Sequence, residues 1–158
     1  MIEPNAANVT PLAEYVSGGK DDAEEVLALA DRASAFLATL TWCRGVRERW
    51  VGIAVPGVVG VFLLCIEPSS PTVDEWLWVI VGDLPPAYLV TDDAPNPAAA
   101  LDGYISEMHA WVRAVRDGAP RDDLIPVNAP ATPEYADMLE SRLRFLRAEV
   151  IPLFSGGR

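Results

Sequence analysis

The sequence predicts an α+β fold, with an antiparallel meander sheet of three to four strands packed by one N-terminal and two C-terminal helices. Three observations carry this. In the run Trp76–Val81, Trp76, Trp78 and Ile80 would point to one face of a strand and Leu77, Val79 and Val81 to the other. A strand apolar on both faces belongs near the middle of a sheet and wants cover on both sides. The chain runs from one helical stretch through strands joined by short turns to two helical stretches, a segregated order that marks the α+β class. Finally, 158 residues at 51% apolar composition fit one domain, residues 1–158, able to bury roughly 70% of its unfolded surface.

Met1–Gly19 holds Pro4, Pro11, Gly18 and Gly19 without a sustained period. It reads as a loosely ordered arm, residues 1–19, with at most a short turn of helix. A helix follows from about Asp21 to Leu40, where Val26, Ala30, Ala33, Leu37 and Leu40 recur on one face. Asp21, Asp22, Glu24 and Glu25 crowd its first turn, where the helix dipole favours negative charge.

Trp42–Val55 and Val58–Glu67 read as two strands around Pro56-Gly57. Pro-Gly suits a type II turn, which matches hairpin twist poorly, so a loop of about three to five residues is expected. Arg44, Arg47 and Arg49 place the first of these strands at a charge-protected edge; the second, nearly all apolar, is central. If the chain reverses at Pro56-Gly57, Cys65 faces Glu48. Cys43 then lies about five residues away, roughly 17 Å along the strand, so the two cysteines stay unpaired. Pro68–Pro71 leads into the Trp76 strand, Asp83–Pro86 turns the chain, and Tyr88–Thr91 forms a short strand.

Asn96-Pro97 is a helix start, with a capping side chain followed by a proline at the first helical position. Leu101, Tyr104, Ile105, Met108, Trp111, Val112 and Val115 form the apolar stripe, and Gly118 stops the helix. Ala119–Ala131 is a surface connector anchored by Leu124, Ile125 and Val127. Thr132-Pro133 repeats the start signal for a last helix whose inner face is Tyr135, Leu139, Leu143, Leu146 and Val150, and Pro152 is expected to end it.

The charge balance bounds the partners. Acidic residues outnumber basic ones by 23 to 12, a net charge of −11. That repels nucleic acid and anionic membrane surfaces and favours a basic partner. The greasiest run, Val51–Ile66, is broken by Pro56-Gly57 and falls short of the about 20 residues of a spanning helix. With no secretory start and two unpaired thiols, the sequence reads as a cytoplasmic protein of bacterial style.

The search for chemistry yields little. A single histidine and two cysteines do not make a zinc site, and there is no phosphate-binding glycine loop or nucleophile elbow. No catalytic, cofactor-binding or metal-binding residue is assigned, and no cofactor is expected. Five residues are singled out as a possible interaction or ligand surface: Trp76, Trp78, Asp83, Tyr88 and His109. The two tryptophans would form a partner site if their sheet face were uncovered. Asp83 ends the central strand and reads mainly as a turn carboxylate. Pro85-Pro86-Ala87-Tyr88 matches a polyproline docking form but reads as a rigid turn with Tyr88 packed inward. His109 is the one side chain with a natural proton-transfer pKa, placed at the edge of an apolar stripe.

Two functions follow as expectations. The first is a small acidic protein-binding domain of adaptor or immunity/inhibitor type, binding a protein partner or a second copy of itself as a dimer. The alternative is a small-molecule-binding protein or unfamiliar hydrolase with a pocket between the sheet and the C-terminal helices, in which His109, Asp83 and a tyrosine would meet.

Overall fold

The computed structural model describes residues 8–92 and 94–155. Along the chain lie β1 (Thr10–Pro11), α1 (Leu12–Ser17), α2 (Ala23–Ala38), β2 (Cys43–Val55), β3 (Val59–Pro68), β4 (Trp76–Gly82), β5 (Ala87–Val90), α3 (Pro97–Asp117) and α4 (Pro133–Phe145). The last helix runs on through a π-helical turn, Leu146–Val150, into α5 (Ile151–Ser155). The strands form one antiparallel meander in the order β1-β2-β3-β4-β5. The α+β class is as the sequence predicts, but the sheet has five strands where three to four were expected. The stretch expected to hold no more than a turn of helix supplies both the extra strand β1 and the extra helix α1; its residues 1–7 lie outside the described residues.

Register follows from the hairpin at Pro56-Gly57. Glu48 faces Cys65, and Val51 faces Phe62. Val55 pairs with Val59, leaving Pro56, Gly57 and Val58 as the loop. Gly57 takes φ +80°, and the Val58 N–H donates to the Val55 carbonyl at 2.9 Å, the geometry of a type II turn. Register shifts between Cys43 and Gly45, between Val46 and Glu48, and between Val51 and Ile53 add twist to β2. Both cysteines are free, Cys65 buried and Cys43 partly so.

The double-sided pattern of β4 does what its period requires. Trp78 and Ile80, with Val59, Val61 and Leu63 of β3, pack beneath α3 and α4. Leu77, Val79 and Val81, with Phe62, Leu64 and Ile66, pack beneath α1 and α2. The last two helices share one face and the first pair takes the other, so helices of the chain cover the buried residues of β3 and β4 on both sides. A single N-terminal helix would cover about half of a four-stranded face, since a helix is about 10 Å wide and strands lie about 4.8 Å apart. Two features make up the difference. Helix α1 adds Leu12 to that core, and Trp42 and Tyr88 meet edge to face with ring centroids 5.0 Å apart at its margin.

Helix ends follow local chemistry. Asn96 is extended, its side-chain oxygen accepts the Ala99 N–H at 2.8 Å, and Gly118 closes α3 at φ +66°. Thr132 caps α4 in the same way through the Tyr135 N–H. Asn96→Ala should cost about 1 kcal/mol, read as a lower urea midpoint at unchanged slope. Pro152 does not end the last helix as expected. The backbone widens just before it, with the Ile151 N–H reaching back to Leu146 in a five-residue step. Such a step relieves the clash between a proline ring and the preceding turn.

Candidate functional site

The structure distributes the five nominated residues. Trp78 is fully buried and donates its indole N–H to the Ala94 carbonyl at 2.8 Å, so it offers no surface to a partner. Trp76 is partly buried against the same core. Tyr88 lies on the opposite side of the sheet, packed on Trp42. The polyproline form preceding it is tied down, because the Tyr104 hydroxyl donates to the Pro85 carbonyl at 2.5 Å and Pro85 is buried. Burial pushes the Tyr104 hydroxyl pKa far up, so it remains a donor across the working pH range. Glu75 and Asp83, at the two ends of β4, pair with Arg47 and Arg142 respectively.

Of the five, Trp76 lines a polar cleft of about 240 Å³ beside Asp74, Glu75 and Asp92, and Asp83 lines one against the last helix. The Asp83 cavity has a volume of about 300 Å³ and is built from three segments far apart in sequence. The β2–β3 turn supplies Gly57 and Val58, the β4–β5 turn supplies Asp83 and Leu84, and α4 with the start of the π turn supplies Ser141, Arg142, Phe145 and Leu146. The two turns are locked together. Gly82, at φ +144°, brings β4 so close to the hairpin that the Asp83 N–H donates to the Val58 carbonyl at 3.1 Å. From the other side of the sheet Arg32 donates to the Gly82 carbonyl at 3.0 Å. Arg142 faces the cleft and places Nε at 3.0 Å and Nη2 at 2.9 Å from one oxygen of Asp83, Oδ2.

Phe145 belongs both to this cleft and to an apolar strip. Among the described residues, the large hydrophobic side chains left exposed are Val90, Met138, Phe145, Leu153 and Phe154. All but Val90 lie on the last helix; Leu153 is 73% exposed and Phe145 49%.

His109 stands apart, among Glu140, Arg147, Arg113 and Arg144, and is not in the cleft lining. Burial lowers its pKa; Glu140 opposes that, and the three arginines reinforce it. Because the folded pKa lies below the ordinary value of 6.5, the unfolded chain takes up this proton first. Stability from this group is complete above pH 6.5 and falls as the pH drops through that value toward the folded one. Glu140, held low chiefly by Arg116, loses its contribution only as the pH falls through the ordinary carboxylate range. His109→Gln should therefore flatten the fall in urea midpoint between pH 7.5 and 5.5, and an unchanged slope would remove His109 from the account.

Sequence reasoning missed Ser141, Arg142 and Phe145. One signal was available: Met138, Ser141, Arg142 and Phe145 share a helical face offset from the Leu139, Leu143 and Leu146 stripe, and a second face carrying Met and Phe is unusual for a solvated one. Among the described residues no group of three or more His, Cys, Asp or Glu is placed to hold a metal ion, and no helix is long and apolar enough to cross a membrane. No family model matches the chain, and no curated protein or solved structure matches it either.

Proposed function

We propose that the chain is a protein-binding domain of adaptor or immunity/inhibitor type that docks a partner along the outer side of its last helix and the cleft beside it. One observation carries this reading. With apolar residues buried beneath helices on both sides of the sheet, four of the five exposed large hydrophobic side chains among the described residues gather on one element, at Met138, Phe145, Leu153 and Phe154. Aromatic and methionine side chains in such a strip supply the anchors that dominate interface energies. The net charge of −11 steers basic surfaces toward the protein and favours a segment of another protein that carries both apolar and basic residues.

A second reading, a small-molecule site, is supported by the position of the cleft between the sheet turns and the last helix. Its volume of about 300 Å³ is at the lower end for such pockets.

The test is photo-crosslinking in native extract with a benzophenone side chain at Phe145, and at exposed Arg121 as the comparison site. A discrete protein adduct from position 145, absent from 121 and lost when Leu153→Asp is added, supports the reading. An adduct of twice the chain mass, with a dimer in sedimentation equilibrium at micromolar concentration, assigns the strip to a second copy. No adduct from 145, or equal adducts from both positions, overturns it. His109→Gln should leave adduct yield within about threefold, roughly 0.65 kcal/mol.

A further inference from the structure

We infer that the cleft between Asp83, Arg142 and Phe145 receives a basic side chain of the docked partner, an arginine or lysine. The inference rests on the docking reading and adds the chemistry of the anchor. The polar groups at the cleft are unequal. The Asp83 side chain is 66% exposed and that of Arg142 only 34%. Both Arg142 nitrogens that touch Asp83 use the same oxygen, Oδ2. Oδ1 therefore has no partner among the described residues and keeps its full capacity to accept. Arg142, by contrast, turns its Nε–H to Oδ2 and is the less exposed of the two. The more accessible group for recognising a ligand is the carboxylate.

The walls fit the rest of such a side chain. Val58, Leu84, Phe145 and Leu146 offer apolar surface of the kind on which the methylene stem of lysine or arginine lies while its head stays polar. The half-exposed ring of Phe145 adds a face that attracts a cation. The net charge of −11 raises the local concentration of cations and lowers that of anions, so an acidic or purely aliphatic anchor gains nothing at long range. Locking of the two turns by the Asp83-to-Val58 hydrogen bond keeps the site formed before the partner arrives, which lowers the cost of binding.

Three capped tripeptides, acetyl-Ala-Arg-Ala-amide and its Leu and Glu counterparts, test this by NMR titration of the ¹⁵N-labelled protein at low salt. The Arg peptide should shift the amides of Gly57, Val58, Leu84 and Ser141 with a Kd on the order of 1 mM, and salt should weaken it. Asp83→Asn should weaken it at least fivefold. Arg142→Gln, which frees the whole carboxylate, should tighten it twofold or more. An exposed ion pair contributes little to stability, so both variants stay folded. The opposite signs of the two effects separate recognition from a general loosening of the cleft. Equal or tighter binding of the Leu or Glu peptide, an unchanged Kd in Asp83→Asn, or no shift at the cleft with any peptide overturns the inference. Crosslinking from Phe145 reports on docking independently of these results.

Discussion

Gly82→Ala should cost about 3 kcal/mol of unfolding free energy or more, a large part of the roughly 5–15 kcal/mol that holds a domain folded. Gly82 ends β4 at φ +144°, a conformation that L side chains rarely adopt. A Cβ there would sit 2.4 Å from the Val58 carbonyl oxygen and 2.8 Å from the Val59 Cα. Both obstacles are backbone, and the two turns are joined at that point, so relief requires the β3–β4 ladder to open from its Val59–Gly82 end. Gly103→Ala is the matched comparison. It lies inside α3, its nearest prospective neighbour is the Leu89 side chain at 3.8 Å, and removing a helix-interior glycine should add about 0.5–1 kcal/mol. Urea unfolding of the pair decides the matter. Equal midpoints would show that the turns do not meet as described.

Trp78→Ala should cost about 3–5 kcal/mol. The indole is fully buried at the centre of the core beneath α3 and α4, where truncation leaves a cavity lined by side chains anchored on two different layers. The Ala94 carbonyl also loses its donor. Trp78→Phe separates the two effects, since it keeps most of the bulk and removes the N–H. An orphaned buried acceptor costs about 1–3 kcal/mol, so the Phe variant should fall between wild type and Ala in a thermal or urea melt.

What was legible in the sequence was local. Asn96-Pro97 and Thr132-Pro133 announce helix starts because capping uses a side chain and a backbone N–H three residues away, all within one short stretch. The strand period of Trp76–Val81 was legible because alternation needs only neighbouring residues, and Glu48 meets Cys65 as expected after the shift between Val51 and Ile53 moves the register set at Val55 and Val59 by one residue. Thr10 and Pro11 were not, because a two-residue strand has no period and exists only through Val51 and Trp50. The passage of the helix through Pro152 depends on a backbone widening that no residue type signals. The full cover of the face beneath α2 was not legible either, because it needs α1 and the Trp42–Tyr88 contact at the margin. At the candidate site only Asp83 was nominated. The cleft joins two turns to one helix across long sequence separations, and its other members become visible only when those segments meet.

The placement of β3 sets how the molecule opens. It has a neighbouring strand on each side and a separate apolar core on each face. Its amide protons therefore have no partial route to solvent: peeling away either helical layer, or either neighbouring strand, still leaves the rest in place. Their deuterium exchange should require global unfolding and slow in step with total stability. The amides of β5, a four-residue strand on the margin, should exchange through local fraying and ignore stabilising substitutions elsewhere. Because both cores share the strands β3 and β4, damage to either should be felt in both, and the two helical layers should melt together in a single transition.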